Sequence, residues 1–189
     1  MKTNQDQHYI EKAKKGDTKA FAFLVDQYKN MVYTLAFRML KNKEEAEEVA
    51  QDVFLKVYNG LSTFKGDSKF SSWLYRITYN RSLDYIKKHT REVKTAPIDA
   101  YTERYVRAVE DILVGFEAED RKNVVKKAMD ELSGEDSFIM TLYYFKELPL
   151  SEIADITKLT KSVVKVRLFR GRKKLAVLLK NRLEPETIG

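Results

Sequence analysis

The chain has 189 residues, enough for one large domain or two small ones, and its 43% hydrophobic and 12% aromatic content suffices to bury cores. Thirty-five Lys and Arg against 28 Asp and Glu leave a net charge of +7, which favours nucleic acid or an anionic surface as partner. The absence of cysteine excludes disulfides, thiolate zinc sites and a Cys nucleophile, and is compatible with a reducing compartment.

The first segment, MKTNQDQHYIEKAKKGD, lacks an apolar core of signal-peptide length. Nowhere do about eighteen uncharged apolar residues run together, so no membrane insertion and a cytoplasmic location are expected. Gly16-Asp17 is a stop-and-cap signal. After it Phe21, Leu24, Val25, Tyr28, Val32, Leu35, Ala36 and Met39 mark one apolar stripe of helical period.

A second helix is predicted from near Glu44. Ala46, Val49, Ala50, Val53, Phe54, Val57 and Leu61 form its inner face, and Glu44, Glu45, Glu47, Glu48, Gln51 and Asp52 crowd the outside of its first turns. Carboxylates at such spacing could hold a divalent metal or act as a catalytic pair, but no neighbouring His or Asn completes a site, and acidic first turns complement a helix dipole. A solvated face and a ridge that docks on a basic protein surface both fit the spacing. No metal, cofactor or catalytic residue is assigned.

After a polar break at residues 65–69 a third helix is predicted from about Ser71 to Lys88. Across FKGDSKFSSWLYRITYNRSLDY, aromatics alternate with Lys, Arg, Ser and Asn. Aromatic faces stack on exposed bases and Arg or Lys neutralises phosphates, so the mixture suits single-stranded nucleic acid. Leu74 and Ile77 read as core from their spacing, as Phe70 and Trp73 also can, whereas Lys65, Ser68, Lys69, Arg76, Asn80 and Arg81 read as contacts.

Residues 89–122 lose periodicity and read as a linker. From about Asn123 apolar spacing returns with Val124, Val125, Ala128, Met129 and Leu132, then Phe138, Ile139, Leu142, Tyr143 and Phe145. The segment LSEIADITKLTKSVVKVRLFRGRKKL then has the pattern of a helix-turn-helix. Leu150, Ile153, Ala154 and Ile156 face inward, Leu159 plugs the turn, Thr160 caps the second helix, and Val164, Leu168 and Leu175 continue the apolar line. From Ile156 to Leu183 there is no Asp or Glu among ten Lys and Arg. Lys161, Ser162 and Lys165 lie at the start of the second helix, the part that enters a major groove. An all-α fold follows: two small helical domains joined by a flexible linker, the second carrying the helix-turn-helix.

Five ordered blocks, Asp17 with Ala20-Phe21, VYTLAFRML, EEAEEVAQDVFLKVY, FSSWLYRITYN with Asp84, and SEIADITKLTKSVVKVRLFRGRKKL, make the chain resemble the extracytoplasmic-function (ECF) sigma factors of bacterial RNA polymerase, over nearly its whole length. The resemblance implies sigma region 2 at residues 1–88, a linker at 89–122 and region 4 at 123–189. It makes Glu44, Glu47, Glu48, Gln51 and Asp52 contacts to the β′ clamp helices of core polymerase. It makes Lys65, Ser68, Lys69, Phe70, Ser72, Trp73, Arg76, Asn80 and Arg81 contacts to the single-stranded minus-10 region. Lys161, Ser162, Lys165, Val166, Arg167, Phe169, Arg170 and Arg172 become contacts to the double-stranded minus-35 element. A β-flap contact for the second domain and an anti-sigma partner, which could hold the protein at a membrane, are also implied. Lys158 stands where the family usually has Gly in the turn, and Val163 and Val166 replace small hydroxyl residues. Lys158 is therefore expected in a left-handed conformation at some cost, and promoter sequence does not transfer from relatives. The alternative is a stand-alone helix-turn-helix regulator, which predicts a palindromic site and a dimer.

Overall fold

The computed structural model of the chain describes residues 3–89, 125–126 and 128–183, and all regular structure among them is helical. The chain divides into two compact units, Met1–Val93 and Lys94–Gly189. The expected linker lies, beyond His89, outside the described residues.

Unit 1 has four α-helices: α1 (Thr3–Lys14), α2 (Thr18–Leu40), α3 (Lys43–Gly60) and α4 (Phe70–His89), with a 3-10 turn at Leu61–Thr63. Periodicity had given no helix before Gly16. α1 is mostly polar and its inward set is small: Ile10 and Ala13 are buried and Tyr9 stacks on Phe23 at 3.8 Å. Tertiary packing rather than propensity holds so short a helix in place. Gly16 ends it at φ 90°, a left-handed position where glycine carries no Cβ penalty. Asp17 then caps α2, its Oδ1 accepting from the backbone N–H of Lys19 and Ala20 at 2.9 and 3.0 Å. Asn42 caps α3 in the same way, through Glu45 N–H at 3.1 Å.

The stripes of α2 and α3 meet those of α1 and α4 in one core. Leu24, Val32, Ala36, Ala46, Val49, Val53, Val57, Phe70 and Leu74 are buried in it. Each large apolar side chain so buried stabilises the fold by about 1.5–3 kcal/mol.

Unit 2 contains α5 (Gly134–Met140), which continues as a π-helical turn at Thr141–Phe145, then α6 (Leu150–Thr157) and α7 (Lys161–Leu183). Ser133 caps α5 through Asp136 N–H at 3.3 Å. Ile153, Ala154 and Ile156 of α6 and Val164, Leu168 and Leu175 of α7 are all buried, while Leu150 and Leu159 are half-buried. Lys158, between the two helices, adopts φ 57°, so the left-handed turn is made without glycine. Thr160 Oγ1 accepts from Val163 N–H at 3.2 Å and caps α7. Gly171 lets α7 approach α5 closely, because a Cβ there would stand 2.9 Å from Met140 Cγ.

Candidate nucleic-acid and protein interfaces

Along α3, Glu44, Glu47, Glu48 and Gln51 are exposed and Asp52 is half-buried. The i, i+3, i+4 spacing of helical neighbours places them on one face. Two of these acids are held from α4. Asp52 accepts from the Arg81 guanidinium, which also lies 3.9 Å from Asp84, and Glu48 accepts from Tyr85 Oη at 3.3 Å. Partial burial, then the carboxylates of Glu48 and Glu45, raise the Tyr85 phenol above its ordinary range. Two exposed apolar side chains, Leu55 and Tyr58, continue the same face at 61% and 49% exposure. Composition had hidden them, although Leu55 sits four residues beyond Gln51 on the outer face.

The loop 64–69 and the start of α4 border a cavity of about 870 Å³ that α1 and α2 close from the other side. Its lining includes Asp6, Gln7 and Ile10 of α1, Tyr28 and Met31 of α2, Phe64 to Ser71 apart from Lys65, and Tyr75. Gly66 at φ 84° allows the loop its turn. The aromatic wall is tightly built: Phe70 lies 5.5 Å from both Tyr28 and Phe64 and 5.7 Å from Trp73, with ring planes tilted or edge-on. Edge-to-face pairs of this kind add about 0.5–1.5 kcal/mol to area burial. On α2 the Tyr28 hydroxyl donates to Asp6 Oδ2 at 2.6 Å. Burial first, and that hydrogen bond next, raise the Tyr28 phenol above its ordinary range, so it stays a donor.

Of the residues expected to contact single strands, Lys65, Ser68, Lys69 and Arg76 are exposed, and Trp73 and Asn80 are half-buried. Trp73, Arg76 and Asn80 share one face of α4 by their spacing. Two expectations need correction. Phe70 and Ser72 are 5% and 4% exposed, so as placed their side chains pack the unit and offer no surface to a base. Arg81 is half-buried and its guanidinium is engaged by Asp52 on α3, which ties an expected nucleic-acid contact to an expected protein contact.

In unit 2, Lys161, Ser162 and Lys165 are exposed on the first turns of α7, and Val166, Arg170 and Arg172 are half-buried. Arg172 Nη1 donates to Tyr144 Oη at 3.2 Å. Phe169, expected among the base contacts, is 5% exposed and belongs to the core. Arg167, also expected there, is held by the carboxylates of Glu135 and Asp136 at the start of α5, the latter at 3.0 Å. The partners stand about thirty residues apart, a separation that no local pattern reveals. Among the described residues no group of three His, Cys, Asp or Glu could hold a metal ion, and no helix is long and apolar enough to cross a membrane.

Residues 24–92 match the family Sigma-70 region 2, and residues 122–175 match Sigma-70, region 4. The chain is 35% identical over 181 residues to the ECF RNA polymerase sigma factor SigW of Bacillus subtilis (strain 168), covering 91% of this chain and 95% of the relative. It is 29% identical over 189 residues to the ECF RNA polymerase sigma-E factor of Escherichia coli (strain K12), covering 95% of each. Two solved structures share the fold. The sigma factor RpoE in complex with the anti-sigma factor NepR from Bartonella quintana has a TM-score of 0.62 at 21% identity, with 86% of this chain and 98% of that one covered. CnrH in complex with the cytosolic domain of CnrY has a TM-score of 0.60 at 22% identity, with 93% and 97% covered. Two ordered regional matches and relatives aligned from end to end account for both units together, which a stand-alone helix-turn-helix regulator would not require. The chain belongs to the ECF RNA polymerase sigma factors, the transcription initiation factors that direct core polymerase to promoters.

Proposed function

We propose a division of labour between the two units, in which residues 1–88 dock on core polymerase and capture opened minus-10 DNA, and residues 123–189 read duplex at minus-35. The observation that carries it is the separation of charge: an exposed acidic face on α3, against exposed Lys161 and Lys165 on α7, a helix that contains no Asp or Glu. Glu44, Glu47, Glu48, Gln51 and Asp52 meet the β′ clamp helices, and Leu55 and Tyr58 extend that surface with apolar area. A polar rim around exposed apolar side chains is the usual composition of a protein interface.

Lys65, Ser68, Lys69, Trp73, Arg76 and Asn80 engage the non-template strand. Extruding a base costs a few kcal/mol of stacking and pairing, and the half-exposed Trp73 ring beside the exposed Lys65, Lys69 and Arg76 offsets part of that cost. In the second domain the first turns of α7 enter the major groove. Lys161, Lys165 and Arg170 approach base edges or phosphates, and the domain also meets the β flap. The chemistry of transcription stays with polymerase, so this chain contributes no catalytic residue. An anti-sigma partner, such as those present in the solved structures of similar fold, masks these surfaces in the cytoplasm until a signal arrives.

The deciding experiment reconstitutes the chain with core RNA polymerase and maps run-off transcripts across genomic DNA. New start sites preceded by two shared sequence elements are expected, and reversing charge at Glu48 and Asp52 should abolish them. Failure to associate with core polymerase, together with unaided discrimination of palindromic operators, would sink the proposal.

A further inference from the structure

The first turns of α7 carry an apolar side chain that folding does not use. Val163 is 38% exposed, and among the described residues it is the one exposed large hydrophobic side chain in those turns. Val166 and Arg170, three and seven residues further on, lie on the same side of the helix, whereas Val164, Leu168 and Leu175 are buried on the side turned to the core. Val166 is half-buried, and Lys161, Ser162 and Lys165 around the pair are exposed.

Neither packing nor propensity accounts for Val163. Left open, its isopropyl group contributes little to the core, and a branched Cβ makes valine a poorer helix former than alanine. Its backbone N–H donates to Thr160 Oγ1 at 3.2 Å to complete the cap, but any residue except proline supplies that donor. Phosphates and hydrogen-bonding base edges gain nothing from an isopropyl group. The apolar group that a major groove does offer is the 5-methyl of thymine. Cations on the same turns hold duplex without regard to sequence, and the valine adds a contact that depends on the base.

We propose that Val163, with Val166 beside it, is a specificity-determining residue of the second domain that packs against the 5-methyl group of a thymine in the minus-35 element. The inference rests on the duplex-reading proposal for α7. It also fixes what is rejected, because cytosine and the purines carry no methyl there and a polar edge set against the valine is left without a partner.

The test uses the full chain assembled with core polymerase on duplex promoter fragments taken from the mapped start sites. Each thymine of the minus-35 element, on either strand, is replaced in turn by uracil, which pairs as thymine does and lacks only the methyl. One replacement should lower affinity about fourfold, the worth of burying one methyl group. Val163→Ser should lose the same factor on the thymine fragment and nothing further on the uracil fragment, so the two changes are not additive. A general loss of fold would lower affinity on both fragments, and Val163→Ala, a stronger helix former, repeats the comparison with folding secure. At the sensitive position 5-methylcytosine should exceed cytosine by a similar factor, because the methyl is read and not the pairing edge. Val166→Ala should narrow the uracil penalty without removing it. A uracil penalty that survives both Val163 variants gives the methyl to another side chain and overturns the inference, while duplex reading stands. The absence of any uracil penalty, or of any thymine in the element, overturns it equally. If no base-pair exchange in the minus-35 element changes affinity, the duplex-reading proposal itself fails.

Discussion

The two faces proposed to bind nucleic acid are built on opposite shapes. In unit 1 the face is concave, a loop and helix start bent around an aromatic cavity that α1 and α2 close. In unit 2 it is convex, a single helix whose first turns carry exposed Lys161, Ser162 and Lys165. Both segments mix aromatic and basic residues, yet their aromatics have different fates. Trp73 stays half-exposed at the rim of a stack with Phe64 and Phe70, whereas Phe169 is buried beneath its helix. A base drawn out of a duplex requires a recess with π-faces; a major groove requires a ridge with cations. The same residue types therefore serve either task according to which side of the backbone is left open.

The largest effect expected from breaking this contrast is at Phe70. Phe70→Ala should empty the centre of the unit 1 stack and cost about 3–5 kcal/mol, read in urea denaturation by fluorescence of Trp73, the chain's single tryptophan. A smaller loss would mean that the cavity wall is not held by this ring.

In unit 2 the corresponding disruption is electrostatic. Arg167→Ala should leave Glu135 and Asp136 without their partner and cost about 2–3 kcal/mol of unit 2 stability, less than a fully buried pair because the guanidinium is 20% exposed. Arg170→Ala should instead cost about 1–3 kcal/mol at particular minus-35 base pairs, while Lys173→Ala weakens all sequences alike. Competition between cognate and scrambled promoters tests the pair. Equal effects of Arg170→Ala on both would remove Arg170 from base reading.

At Tyr28 the concave wall meets α1. Tyr28→Phe should cost about 1 kcal/mol near neutrality by deleting the bond to Asp6. Folding raises this phenol's pKa, so its contribution is complete below the ordinary value of about 10 and is lost as pH rises beyond it towards the folded value. Urea melts of the two proteins should therefore converge above about pH 10. A constant gap across that range would mean that the phenol is not tied to Asp6.

Smallest of all, Lys158→Gly should stabilise unit 2 by about 0.5–1 kcal/mol by relieving the left-handed backbone, offset in part by extra freedom in the unfolded chain. A loss of thermal stability would assign the Lys158 side chain a packing role.

Periodic and punctuating features were readable in order along the chain. The stripes of α2 and α3, the caps at Asp17 and Thr160, the strained turn at Lys158 and the acid-free basic run of α7 are each set by residues within one or two turns of one another. Five matching blocks added the family. α1 escaped because its apolar set is too small to show a period, and with it went the far wall of the cavity. Leu55 and Tyr58 escaped because an apolar residue is ordinarily assigned inward.

What the amino-acid order determined alone is therefore local: where helices start and stop, which stripe faces inward and which surface carries which sign of charge. Tertiary structure decided the rest. It chose that Phe70, Ser72 and Phe169 are buried, that Arg81 is held by Asp52 and Arg167 by Glu135 and Asp136, and that Asp6 comes to lie in the wall of the pocket. Side chains distant along the chain meet only when separate stripes are buried against each other, and burial in three dimensions has no signature in the spacing of one helix.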